Sequence, residues 1–70
     1  MRSWLKELRQ RNLETQSETA KKLDISESYY NMIENGERQK RLSMELARKI
    51  ADVFGVSLDY ISEQEESEVR

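Results

Sequence analysis

Only Leu23-Asp24-Ile25-Ser26 separates two segments that both read as helix, and this short spacing constrains the fold more than any other feature of the chain. The upstream segment opens with Thr15-Gln16-Ser17-Glu18, where the threonine hydroxyl can accept from a first-turn amide while the glutamate reaches back to the threonine amide. The downstream segment follows Ser26, whose hydroxyl can accept in the same way, and stops at Asn35-Gly36, a pair suited to left-handed backbone. So short a connection brings the two helices into contact. Ala20 is small where they cross, and Asp24 takes the turn position that needs positive φ, which Asp and Asn tolerate better than most residues.

The remaining punctuation is equally local. The first helix is expected from Trp4 to Arg11, with Ser3 as its N-cap, a Glu7–Arg11 ion pair one turn apart, and Leu5 and Leu8 facing inward. The second ends near Leu23 with Ala20 and Leu23 buried, and the third buries Tyr30 and Ile33. Ser43 caps a fourth helix in which Leu46, Ala47, Ile50, Ala51 and Phe54 recur at helical spacing until Gly55, and Ser57 caps a short fifth with Leu58 and Ile61. The chain has no proline and two glycines, both at expected helix ends, and nothing alternates with period two. The fold class is all-α, with five helices and a helix-turn-helix formed by helices 2 and 3.

Seventy residues allow a single domain, whose one core supplies roughly 3–5 kcal/mol of net stability. With no cysteine and no histidine, disulfides, the usual zinc ligand sets and Cys/His or Ser/His nucleophiles are excluded, and no metal or cofactor is expected. No tuned general base or glycine-rich phosphate cradle is visible, so an enzyme is not expected. Neither a bilayer-spanning apolar run nor a signal-peptide core is present, which points to a soluble, unprocessed, cytoplasmic protein. The net charge of −2 divides unevenly: residues 1–58 hold eleven Lys/Arg against nine Asp/Glu, and residues 59–70 hold one Arg against five acids. The domain is therefore assigned to residues 1–61, and SEQEESEVR at 62–70 is expected to be an acidic, disordered tail.

Gln16, Ala20, Leu23, Ile25, Ser26, Tyr30 and Ile33-Glu34-Asn35-Gly36 fall without a gap on a known pattern. Leu5-Lys6-Glu7-Leu8-Arg9, Leu46-Ala47 and Gly55-Val56-Ser57-Leu58-Asp59-Tyr60-Ile61 extend it, so that residues 5–61 resemble the phage-repressor/Cro-type helix-turn-helix domains, the xenobiotic-response-element family. The resemblance implies a five-helix, lambda-repressor-like DNA-binding domain that acts as a homodimer on a palindromic double-stranded operator, with half-sites about 10 bp apart. It also implies an ion pair between Arg9 and Glu34. Three positions depart from the pattern: Asp24 stands where the family prefers Gly, Thr19 where it usually has Leu, and Asn12-Leu13-Glu14 replaces a Gly-Leu approach. Loss of buried methyl groups at Thr19, on the order of 1–2 kcal/mol, predicts a domain of modest stability.

With Tyr30 and Ile33 inside, helix 3 presents Glu27, Ser28, Asn31 and Met32 outward as base-reading candidates. Asn31 can bond bidentately to adenine, Glu27 can accept from a cytosine amino group, Ser28 suits base or phosphate, and Met32 can touch a thymine methyl. Backbone phosphate contacts fall to Gln16 at the start of helix 2, to Tyr29, and to Arg38, Lys40 and Arg41 in the loop after Gly36. Each has a plainer reading: a solvated helix face for the base-reading candidates, a helix-starting residue for Gln16, an aromatic packed on its own helix for Tyr29, and solvated charge for the loop cations. Four phosphate contacts predict a salt slope near about −4 and weak binding by a monomer. The expected dimer surface is the end of helix 4 with helix 5, where Phe54, Val56, Leu58 and Tyr60 cluster, and Trp4 either fills the core or joins that surface. The rival function is a protein-interaction module, such as an antitoxin or anti-repressor, built on the same fold.

Overall fold

The computed structural model describes residues 1–68. Helices α1 (Ser3–Arg11), α2 (Gln16–Lys22), α3 (Glu27–Asn35), α4 (Met44–Phe54) and α5 (Leu58–Glu68) follow in order, with no strand among the described residues. The core is shared by all five: Trp4, Leu5 and Leu8 of α1, Ala20 and Leu23 from α2 and its end, Tyr30 and Ile33 of α3, Leu46, Ala47 and Ile50 of α4, and Ile61 of α5. No helix among the described residues is long and apolar enough to cross a membrane.

Side-chain caps set four of the five helix starts. Thr15 and Glu18 form the reciprocal box (3.1 and 2.8 Å), and Ser26, Ser43 and Ser57 accept from the amides of Tyr29, Leu46 and Tyr60 at 3.0–3.2 Å. The exception is α1, where Ser3 is the first helical residue and Arg2 holds the cap position without a side-chain capping bond. A cap from elsewhere substitutes for it: Glu68, on the last turn of α5, accepts from the Trp4 amide at 3.3 Å.

Helix ends repeat one device. After α1, α2, α3 and α4 a left-handed residue reverses the chain, and the next residue donates its amide to the carbonyl five positions back: Glu14 to Arg9, Ile25 to Ala20, Glu37 to Met32 and Val56 to Ala51. The four left-handed residues are Leu13, Asp24, Gly36 and Gly55, with φ of 56°, 60°, 82° and 67°. Asp24 adopts the positive φ expected of it, whereas Leu13 has no chemistry suited to this region.

Besides the missing Ser3 cap, two departures from the sequence reading concern α1 and α5. Glu7 and Arg11 form no ion pair among the described residues, consistent with the small value of an exposed pair one turn apart. The acidic tail expected to be disordered from residue 62 continues α5 through Glu68, and only residues 69 and 70 of it lie outside the described residues. Its helix is held by polar contacts instead of apolar ones, because Ile61, Glu65 and Glu68 share one stripe and the two glutamates meet Arg2, Trp4 and the start of α1.

Thr19 is fully buried, yet its hydroxyl donates to Glu14 at 2.8 Å, and Lys22 closes on the other oxygen of the same carboxylate. The apolar contact a leucine would make here is replaced by a satisfied polar triad, so the missing methyl groups leave no orphaned hydroxyl.

Leu13 is 91% exposed and sits at a φ that costs an L-residue about 1–2 kcal/mol. Leu13→Gly should therefore raise stability, by about 1 kcal/mol after allowing for the greater freedom of glycine in the unfolded chain, seen as a higher midpoint in thermal unfolding followed by circular dichroism. A lower midpoint would mean that the leucine side chain makes a contribution its exposure does not reveal.

Candidate nucleic-acid interface

One edge of α3 is locked into the domain. Tyr30, Ile33 and Glu34 are buried, while Glu27, Ser28 and Asn35 are exposed and Tyr29, Asn31 and Met32 are half-buried. The Ser26 cap leaves the amino end of α3 at the surface with Glu27 and Ser28 on its first turn.

What fixes the angle of α3 is a carboxylate. Glu34, 2% exposed, receives Arg9 of α1 through Nε (2.9 Å) and Nη2 (3.1 Å), and Nε2 of Gln16 at 3.1 Å. Arg9 also donates to the Glu14 carbonyl at 3.1 Å, which ties the α1–α2 turn to the same point. Burial opposes ionisation of Glu34, but Arg9, Tyr30 and Gln16 together outweigh it and hold the carboxyl below its ordinary pKa. The bonds to Glu34 raise Arg9 in turn. Tyr30 lies beside this pair with its hydroxyl buried and outside good bonding geometry, and burial followed by the neighbouring carboxylate raises its pKa.

Gln16 and Asn31 are drawn into this network. Asn31 Nδ2 donates to Gln16 Oε1 at 3.1 Å and Asn31 Oδ1 accepts from Asn35 at 3.2 Å, so a continuous polar chain runs from Arg9 through Glu34 and Gln16 to Asn31 and Asn35. Asn31 is thus less available for a base edge than its position on the helix suggests. Among the described residues Glu27 and Ser28 carry no such engagement, and Met32, half-buried, follows one turn after Ser28.

The loop from Gly36 to Ser43 carries Arg38, Lys40 and Arg41 exposed. Tyr29 does not project freely beside it: the tyrosine hydroxyl accepts from Gln39 Nε2 at 2.8 Å, and Gln39 Oε1 accepts from the Ser43 amide at 3.0 Å. Gln39 itself is left-handed, with φ 54°. The residue that sequence reasoning missed here is Arg2, which is 4% exposed and donates to the carbonyls of Ile33 (2.7 Å), Arg38 (3.3 Å) and Gln39. Glu65 of α5 neutralises it at 2.9 and 3.0 Å and also accepts from the Trp4 indole at 3.0 Å. The signals were present: Glu65 lies one turn beyond Ile61 on the same stripe, and a buried tryptophan N–H needs an acceptor.

Of the expected dimer surface, Phe54, Val56 and Tyr60 are half-buried against the core, and Leu58 is 39% exposed. Trp4, 2% exposed, fills the core. Beside Leu58 an open groove of about 860 Å³ has Met44, Leu42 and Ala47 among its apolar lining and Lys40, Arg41, Asp59, Glu65 and Glu66 among its charged lining.

A helix-turn-helix family model matches residues 5–61. The chain is 44% identical over 55 residues to "Uncharacterized HTH-type transcriptional regulator YqaF" of Bacillus subtilis (strain 168), across 79% of this chain and 70% of that protein. No solved structure matches the chain.

Two outcomes follow from the Glu34 network. Glu34→Ala leaves the Arg9 guanidinium without its carboxylate, and denaturant unfolding should show a loss of about 3 kcal/mol. Acid acts there and at two further carboxyls. Glu14 is held below its ordinary pKa first by Lys22, and Glu68 first by Ser3, alongside Glu34. A carboxyl depressed in the folded state contributes stability that is complete above its unfolded pKa and lost as pH falls through its folded one. The thermal midpoint should therefore hold between pH 7 and 5 and decline below about pH 4.3. A midpoint indifferent to acid down to pH 3 would contradict it.

Proposed function

The chain belongs to the Cro/C1-type helix-turn-helix family of DNA-binding transcription regulators, and on that premise we propose that it is a sequence-specific repressor that reads operator half-sites in the major groove with α3. The observation that supports this most is the division of α3 into a buried edge at Tyr30, Ile33 and Glu34 and an outward one at Glu27 and Ser28, immediately after a turn that holds α2 against it.

In this reading Ser28 and Glu27 meet base edges, Met32 contacts a thymine methyl, and Asn31 links the base-facing edge to Gln16, whose remaining N–H and neighbouring first-turn amides hold a phosphate. Arg38, Lys40 and Arg41 follow the phosphate backbone. A single domain with so few cations binds weakly, so the regulator acts in the cytoplasm as a homodimer on a palindrome. Exposed Met44 and Leu58 supply the apolar part of the dimer face. The groove beside them is lined by charges of both signs, Lys40 and Arg41 with Asp59 and Glu66, which suits a twofold pairing in which cations of one copy meet carboxylates of the other.

A second reading, a protein-interaction module, draws support from exposed Glu27 at the start of α3 and from exposed Asp59, Glu63 and Glu66 along α5. The two readings differ in their response to salt.

Selection of bound duplexes from a random pool by gel shift, at two salt concentrations, decides between them. The expected outcome is a palindrome with half-sites about 10 bp apart and an affinity that falls with salt at a slope of about −4 per domain. Ser28→Ala should weaken the selected site by on the order of tenfold, about 1–2 kcal/mol, and relax preference at one base pair. No duplex retained at low salt would leave the interaction-module reading standing.

A further inference from the structure

We propose that Arg2 is a positioning residue for the phosphate-contacting loop, acting through Gln39, and that Glu65 on α5 makes this arrangement possible; the proposal rests on the DNA-binding reading above. Arg2 is buried at the junction of α1, the end of α3, the loop and α5. Its backbone amide donates to the Glu34 carbonyl at 2.8 Å, and its guanidinium spans the Ile33, Arg38 and Gln39 carbonyls.

These acceptors are not interchangeable surface groups. The Ile33 carbonyl belongs to the last turn of α3, where a cation is favoured by the helix dipole, and the other two carbonyls are the loop itself. Gln39, held by its backbone oxygen, passes the constraint onward, since its side chain bonds the Tyr29 hydroxyl on α3 and the Ser43 amide that opens α4. Gln39 holds a left-handed φ of 54°, a conformation a non-glycine residue keeps only where its surroundings fix it. The loop cations Arg38, Lys40 and Arg41 are thereby placed at a set distance from α3.

A buried guanidinium needs a counter-charge, and none of its carbonyl partners supplies one. Glu65 does, bonding both Nε and Nη2. Lysine at position 2 would keep the charge pair but not the planar fork that reaches a carboxylate and three carbonyls together. The second half of α5 therefore helps to place the loop through Arg2, with Glu65 lining the same groove as Lys40 and Arg41.

The test uses the full chain and a short mixed-sequence duplex, with affinity measured across a salt series for wild type, Arg2→Lys and Gln39→Ala, and amide hydrogen exchange measured on the free proteins. Partial unfolding alone would lower apparent affinity equally at every salt concentration, leaving the slope unchanged. Displaced loop cations flatten it, by about 0.9 for each phosphate no longer neutralised, so a drop of about one to two units is expected in both variants. The Ser43 amide should lose protection in both variants while the Leu23 and Ile25 amides keep theirs. Wild-type slope and wild-type Ser43 protection in Arg2→Lys would overturn the proposal. Should Arg2→Lys fail to fold, a wild-type slope in Gln39→Ala would do the same. If wild type does not bind duplex at low salt, the DNA reading fails separately, and the Ser43 exchange then decides whether Arg2 organises the loop.

Discussion

The buried carboxylate of Glu34 fastens three helices at one point. Arg9 reaches it from α1, Gln16 from α2, and the residue itself belongs to α3, while its backbone carbonyl takes the amide of Arg2. A buried charge is stabilised only when its partners are close and its remaining lone pairs are met, and this one has both. Such a joint is directional, which apolar packing is not. Tyr30, Ile33, Ala20 and Leu23 hold α2 and α3 together but would tolerate small rotations, and the fork of Arg9 on Glu34 does not. The orientation of the outward edge of α3 therefore depends on an interaction on its opposite side.

A second polar joint lies beside it on the last turn of α3. Arg2 gathers the last-turn carbonyl of the helix and two carbonyls of the following loop, and Glu65 of α5 balances its charge. Between them the two arginines tie the carboxyl end of one short helix to α1, to the following loop and, through Glu65, to α5. In a domain of this size the apolar core is too small to determine geometry alone, and buried charge-assisted bonds supply the specificity that a larger core obtains from packing.

Local chemistry was legible where it acts locally. The Thr15–Glu18 box, the serine caps at positions 26, 43 and 57, and the left-handed Asp24, Gly36 and Gly55 each concern a residue and neighbours within one or two turns. Leu13 was not legible because its left-handed φ follows from the α1–α2 junction and contradicts its own propensity. The helical course of residues 62–68 was missed for a related reason: composition gives α5 no apolar stripe beyond Ile61, and its glutamates are useful only because Arg2, Trp4 and the start of α1 lie opposite. At the site, the burial of one edge of α3 could be read from periodicity, whereas the engagement of Asn31 with Gln16 and of Tyr29 with Gln39 joins residues on different elements and has no sequence signature.

The sequence by itself determined five helices, the caps of four of them, the tight turn between α2 and α3, and which face of each helix is apolar, because hydrogen-bond caps and a 3.6-residue period act over a few residues. Only the tertiary structure decided that Arg2 and Glu65 meet across nearly the whole chain, that the acidic segment is helical through Glu68, and that Gln16 and Asn31 share a polar chain with a buried ion pair. The reason is physical: a charge is stable in the interior only where a counter-charge and matching acceptors converge, and that convergence is a property of the packed helices and of no segment alone.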